Sequence, residues 1–172
     1  MQSVQTIVRA AALLKGRCEV RWHIVGDGSA LEECRQLAGQ LELGDTLTFY
    51  GRRPVEEMPE FYALADAMLI TLADNEMIAR TLPGKMQSYL AAGKPVLGAI
   101  GGETRQVIEQ SGCGLCCEPE DADGLALLAK AFCQSGEREQ MAQKARRFYE
   151  EHYRKDLFLE RLEDELEKLA KE

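Results

Sequence analysis

Short apolar runs alternate with amphipathic stretches of about ten residues along the first two thirds of the chain, and glycine stands at many of the junctions. This alternation restricts the fold more than any other feature. Val20 to Val25, Leu47 to Tyr50 (closed by Gly51), Ala67 to Leu72, Pro95 to Ala99 and Gly114 to Cys117 read as strands, bounded by turn residues. Between them apolar residues recur at helical spacing. Val4, Ile7, Val8, Ala11 and Leu14 share one face behind Ser3, and Leu31, Cys34, Leu37, Ala38 and Leu41 share one face behind Ser29. Both serines are expected N-caps. Further helices are expected at Glu56 to Ala65, Leu82 to Ala92 and Gly102 to Gln110. From Asp121 the pattern is helical to the end: Asp121 or Ala122 to Cys133, Glu137 to His152, and Asp156 to Lys171. The last carries an apolar stripe of Leu157, Phe158, Leu162, Leu166 and Leu169, with too few heptads for a coiled coil, so it is expected to pack on another surface.

Strands that alternate with helices imply βαβ units: an α/β fold with a Rossmann-like, mostly parallel sheet flanked by helices. Apolar runs such as Ala67-Met68-Leu69-Ile70 fit burial on both faces. In such sheets ligands bind beyond the carboxyl ends of the strands. The loops after Val25, Tyr50, Leu72 and Ala99 are therefore the candidate region, and they hold Gly26-Asp27-Gly28, Gly51 and Gly101-Gly102. Glycine allows close backbone approach to a ligand, although Gly-Asp-Gly is also an ordinary strand-to-helix turn. Neither G-x-G-x-x-G nor a P-loop motif occurs, so dinucleotide and P-loop readings lack support.

A length of 172 residues fits one domain, and 45% hydrophobic with 29% charged residues is a globular balance. A net charge of -8 disfavours nucleic acid as a partner. The apolar stretches are too short to span a membrane, and no secretory signal pattern opens the chain. Six cysteines are present. Cys113 and Cys116 form a C-x-x-C beside Cys117, but a second pair is lacking and His23 and His152 are distant in sequence, so the favoured reading is reduced thiols filling the core, not a metal site. Unpaired thiols point to a reducing, cytoplasmic compartment.

The stretch from Thr81 to Glu103 raises a physical question. Its helix is expected to start near Thr81 with Pro83 in the first turn, which places Lys85 where the helix dipole disfavours a cation. Met86, Tyr89 and Leu90 follow Leu82 at core spacing, while Lys85 and Ser88 share a different face. A phosphate at this N-terminus reverses the sign, because amides and ammonium then attract it together. The alternative is a solvated surface lysine.

The motifs in order are Val-Gly-Asp-Gly at 25–28, Phe-Tyr-Gly-Arg at 49–52, Ala-Asp-Ala at 65–67, Leu-Pro-Gly-Lys at 82–85, Ala-Ala-Gly-Lys-Pro-Val at 91–96, Gly-Gly-Glu at 101–103 and Asp-Ala-Asp-Gly-Leu at 121–125. This series, spanning roughly Val4 to Ala145, resembles the C-terminal half of group 1 (family 4-like) retaining glycosyltransferases of GT-B fold, in the version found in bacterial surface polysaccharide synthesis. The resemblance implies that the chain binds the nucleotide diphosphate of a UDP- or GDP-sugar donor, with no cofactor and no metal. It places Gly51 and Arg52 near the base, Thr81, Leu82 and Lys85 at the diphosphate, and Gly102 and Glu103 beside the same pocket, with Gly26 counted among the donor-binding residues. Two glutamates usual in the family correspond to Arg80 and Ser88, the latter in line with the ribose; Glu76 is a further candidate by loop rearrangement. The resemblance also implies that a first, central strand is missing, that the acceptor-binding N-terminal domain belongs to the same parent protein but not to these residues, and that the full enzyme associates peripherally with the inner membrane. Residues 1–172 are then one donor-binding domain, inactive alone. Catalysis would be electrostatic, with the catalytic residues unassigned. The rivals are a non-catalytic nucleotide-binding or assembly module of the same fold, and a nucleotide-sugar epimerase, for which His23 and His152 are poorly placed.

Overall fold

The computed structural model describes residues 2–170 of the chain. It is an α/β protein whose elements follow the alternation in the sequence. The chain runs α1 (Val4–Leu14), β1 (Trp22–Val25), α2 (Leu31–Gln40), β2 (Leu47–Gly51), α3 (Met58–Leu64), β3 (Met68–Thr71), α4 (Glu76–Ala79), α5 (Gly84–Ala91), β4 (Val96–Ala99), α6 (Gly102–Ser111), β5 (Gly114–Cys117), α7 (Ala122–Gln134), α8 (Arg138–His152) and α9 (Lys155–Leu169). The expected end of the last helix at Lys171 lies outside the described residues.

All strand pairs are parallel, and they fall into two groups. β1 pairs with β2 with Trp22 opposite Leu47, and β3, β4 and β5 pair in that order with Met68 opposite Val96 and Val96 opposite Gly114. A groove of about 990 Å³ lies between β1 and β3, with residues of both strands in its walls. The division agrees with the expectation of an incomplete sheet.

Alternation along the strands sends side chains into two cores. Val96 and Ile100 join Ile70, Met86, Leu90, Ile108 and Cys113 under α5, α6 and α8. Leu97 and Ala99 join Val8, Ala11, Leu125 and Phe132 under α1 and α7. β4 is buried on both faces, as a central parallel strand should be. Each fully buried Leu, Ile or Met contributes about 1.5–3 kcal/mol, so these two layers fix the carboxyl ends of β3, β4 and β5.

Several local expectations are corrected. Neither Ser3 nor Ser29 caps by its side chain: Ser3 Oγ meets Thr6 Oγ1 at 2.8 Å, and the residue ahead of α2 is Ala30. Asp121 does cap α7, accepting from Gly124 N–H at 2.8 Å. The segment after β2 opens as a 3₁₀ turn at Val55–Glu57 before α3. α4 was unforeseen, and Asn75 caps it by accepting from the N–H groups of Met77 and Ile78. α9 contributes no buried residue, and Phe158, Leu162, Leu166 and Leu169 are exposed. The six cysteines are free; Cys34 and Cys113 are buried, whereas Cys133 is exposed rather than in the core. Among the described residues no helix is long and apolar enough to cross a membrane.

Candidate functional site at the carboxyl edge

The expected site residues form two clusters at the carboxyl ends of the strands. In the first, Gly26 follows β1 and donates its N–H to Gly51 C=O at 2.8 Å, joining the ends of β1 and β2. Gly51 has φ +67, a region a side chain disfavours. Arg52 follows, exposed, with its guanidinium 3.9 Å from the Asp27 carboxylate. A pair this exposed contributes little by itself, so Arg52 is free to change partner.

The second cluster joins the loop before α5 to the start of α6. Thr81 donates its hydroxyl to Ile78 C=O at 2.8 Å, and its own carbonyl accepts from buried Thr104 Oγ1 at 3.2 Å. Gly102 opens α6 with φ +65, and a Cβ there would lie 2.0 Å from Ala79 O. Glycine is therefore required for α4 and α6 to meet. Glu103 sits exposed in the first turn of α6, where a carboxylate suits the helix dipole.

The start of α5 differs from the expected one. Pro83, not Thr81, is the cap residue, and Gly84 is the first helical position. Thr81 and Leu82 thus lie before the helix, and the Leu82 side chain packs against the core, leaving only its backbone for a ligand. Met86 N–H bonds to Pro83 C=O at 2.9 Å, so the amides of Gly84 and Lys85 are the open ones. Met86 and Leu90 are fully buried as expected.

Lys85 is the principal correction. It was expected to share a face with Ser88, but Ser88 is exposed while Lys85 is half-buried and lines the groove with Tyr62 and Tyr89. Tyr89 stands four residues on, so the helical repeat carried this signal. Burial pushes the Lys85 ammonium down from 10.5 to about 8. Among the described residues no carboxylate lies within ion-pair distance of it, and the cost of its charge is uncompensated. Tyr89 is raised, first by burial and then by Tyr62, whose ring packs edge-on at 5.7 Å. Arg80 and Glu76 are exposed on and after α4, and Ser88 is one helical turn beyond Lys85.

Sequence reasoning passed over one further residue at this edge. Glu120, after β5, adopts φ +59 and brings Oε1 within 3.4 Å of Ser3 Oγ and Oε2 within 3.4 Å of Asp74 N–H. A positive φ at a non-glycine residue is uncommon. Only a fold in hand joins residues so distant in sequence.

Comparison with known proteins places these features in a family. A probable glycosyltransferase WbjE of Pseudomonas aeruginosa is 29% identical over 136 residues, which cover 78% of this chain and 33% of that protein. The chain thus spans about a third of that relative. Among solved structures, the pneumococcal O-GlcNAc transferase GtfA in complex with UDP and GlcNAc superposes with a TM-score of 0.81 at 16% identity, over 99% of this chain and 34% of that one. The C-terminal domain of the group 1 glycosyl transferase LpcC from Francisella tularensis superposes at 0.75 with 18% identity, over 90% of this chain and 80% of that one. These likenesses establish a GT-B-type α/β fold present in part. The family model described as "Glycosyl transferases group 1" matches residues 1–148, and the chain belongs to that family.

Proposed function

We propose that residues 1–172 are the donor-nucleotide half of a retaining group 1 glycosyltransferase, which binds the diphosphate of a UDP- or GDP-sugar at the start of α5. Lys85 carries the reading. A half-buried ammonium with no anionic partner among the described residues, in a helix whose first two amides are open, is a costly arrangement that a diphosphate relieves. Solved relatives of this fold hold UDP, as in GtfA with UDP and GlcNAc, which supports the nucleotide assignment.

In this reading the α5 amides and Lys85 stabilise the departing diphosphate as the glycosidic bond breaks. Gly51 and Arg52 face the base, with Gly26 supporting Gly51 through its N–H, and Ser88 lies in line for the ribose. No side chain of this edge is assigned as nucleophile, and the positive charge comes from the protein without a metal. The acceptor binds an N-terminal domain of a longer parent protein, at the cytoplasmic side of the membrane, for bacterial surface polysaccharide assembly. Arg80 and Ser88, both exposed where carboxylates are usual, favour a second reading: a module that binds nucleotide without transfer.

Calorimetric titration with UDP and GDP tests the proposal. The chain should bind at least one of them, Lys85→Ala should weaken that binding about tenfold or more, and the exposed Lys130→Ala should not. Equal binding by Lys85→Ala would remove the assignment. Transfer by the parent protein separates the two readings.

A further inference from the structure

Three successive residues after β5 each reach a different part of the carboxyl edge. Glu118 accepts from the Arg105 guanidinium of α6 at 2.7 Å. The Pro119 ring lies against Gly101, where a Cβ would stand 3.7 Å from Pro119 Cγ. Glu120 accepts from Asp74 N–H and from Ser3 Oγ, each at 3.4 Å. Asp121 N–H bonds to Glu118 C=O at 3.3 Å and closes these residues into a turn. Proline in second place and φ +59 in third mark the kind of turn that takes glycine third. Glutamate stands there instead. Among the described residues one other non-glycine residue has a positive φ, Glu42 at +53, and its cause is local. Glu42 follows the end of α2, where a left-handed residue lets Leu43 N–H bond back to Ala38 C=O at 3.0 Å. No helix ends at Glu120, and what its strained backbone gains is the reach of the carboxylate.

We propose that Glu120 is a positioning residue: its carboxylate latches the loop after β3 and so holds the approach to the open amides of α5 in place before nucleotide binds, a role that rests on the nucleotide reading above. Asp74 leads directly into Asn75, which caps α4, and α4 leads through Thr81 to Pro83 and the start of α5. The far end of this segment is fixed by α6, since the Gly102 turn fits against Ala79 and Thr104 Oγ1 donates to Thr81 C=O at 3.2 Å. At the near end the two oxygens of Glu120 tie Asp74 to the start of α1. With both ends held, a ligand does not have to order the segment as it binds. A residue that breaks the local preference of its turn persists where its surroundings over-determine it, and such positions gather at functional sites. The same turn grips α6 through Arg105 and touches Gly101, so it sets three parts of the edge relative to one another.

Variants of the full chain separate the carboxylate from the shape of the turn. Calorimetry reads affinity for UDP and GDP, urea unfolding reads stability, and NMR nitrogen relaxation reads the mobility of the amides of residues 74–80. Glu120→Gly suits the left-handed position but lacks the carboxylate. It should unfold at no lower urea concentration than the parent chain, bind nucleotide about three- to tenfold more weakly, and make the amides of residues 74–80 more mobile. Glu120→Ala should weaken binding as much and be the less stable of the two, because it keeps the strain. Glu120→Gln retains an acceptor for Asp74 N–H and should restore most of the affinity. Glu42→Gly relieves the other strained residue, away from this edge, and should leave affinity unchanged. Parent-like affinity in Glu120→Gly, or affinity that simply follows stability across the series, would reduce Glu120 to a turn residue and overturn the proposal; unchanged mobility of residues 74–80 in Glu120→Gly would do the same. If the parent chain binds neither nucleotide, the nucleotide reading fails by itself, and relaxation decides the latch: raised mobility in Glu120→Gly without loss of stability supports it, and unchanged mobility overturns it.

Discussion

Replacing Lys85 by methionine keeps the side-chain length and helix propensity while removing the charge. Folding lowers the Lys85 ammonium from 10.5 to about 8 through burial. At ~1.4 kcal/mol per pH unit that descent corresponds to a ceiling of ~3 kcal/mol, and the partial access of water at a half-buried site reduces it to ~1–3 kcal/mol. The sign follows from proton counting. Between pH 8 and 10.5 the unfolded lysine holds a proton that the folded one has released, so this residue makes stability rise with pH across that window. Below pH 8 both states are charged and the full cost stands. Lys85→Met should therefore be more stable than the parent chain by ~1–3 kcal/mol at pH 7, and the gap should close toward pH 10.5. Urea unfolding at several pH values measures it, and other titrating groups cancel in the difference. A Lys85→Met chain no more stable at pH 7, or a gap independent of pH, would refute the claim that the charge is desolvated. Greater stability accompanied by weaker nucleotide binding would be the signature of a residue kept for function at a cost to the fold.

Three further outcomes follow from particular contacts. Burial raises the thiols of Cys116 to about 12 and Cys117 to about 11; stability they contribute below pH 9 should be lost as pH rises from 9 toward 12, visible as a falling urea midpoint in both chains. Gly102→Ala should cost more than ~2 kcal/mol, because the new Cβ meets Ala79 O in a left-handed turn, and chemical denaturation would show it. Lys94→Ala should cost about 1–2 kcal/mol in the same assay, since its ammonium donates to the carbonyls of Ala65 and Ala63 at the end of α3, at 2.8 and 3.3 Å.

The strands were legible because each is a short apolar run closed by turn residues; β5 matched at both ends, Gly114 and Cys117. The α7 cap was legible too, since Asp121 precedes a helical repeat and its carboxylate needs only local backbone. Ser3 and Ser29 look equally good in sequence, yet Ser3 Oγ is taken by Thr6 and Glu120, and the turn before α2 extends past Ser29. α4 is a single turn, too short for a periodic signal, although Asn75 followed by Glu76 is a local cap pattern. Gly26, Gly51, Arg52 and Gly102 fall at the expected edge because strand ends locate themselves once the alternation is read. The side chain of Lys85 was not legible. Its direction depends on the groove between β1 and β3, and a groove is a property of how strands are ordered, which local pattern does not encode.

The most direct test of the nucleotide reading is a residue-resolved NMR titration of the full 172-residue chain with UDP and with GDP. The account predicts that at least one nucleotide shifts the amides of Gly84 and Lys85, those of Gly51 and Arg52, and that of Gly102, saturably and together, while the exposed face of α9 stays unmoved. Shifts confined to α9, or no shift at Gly84 and Lys85 while nucleotide demonstrably binds, would contradict it.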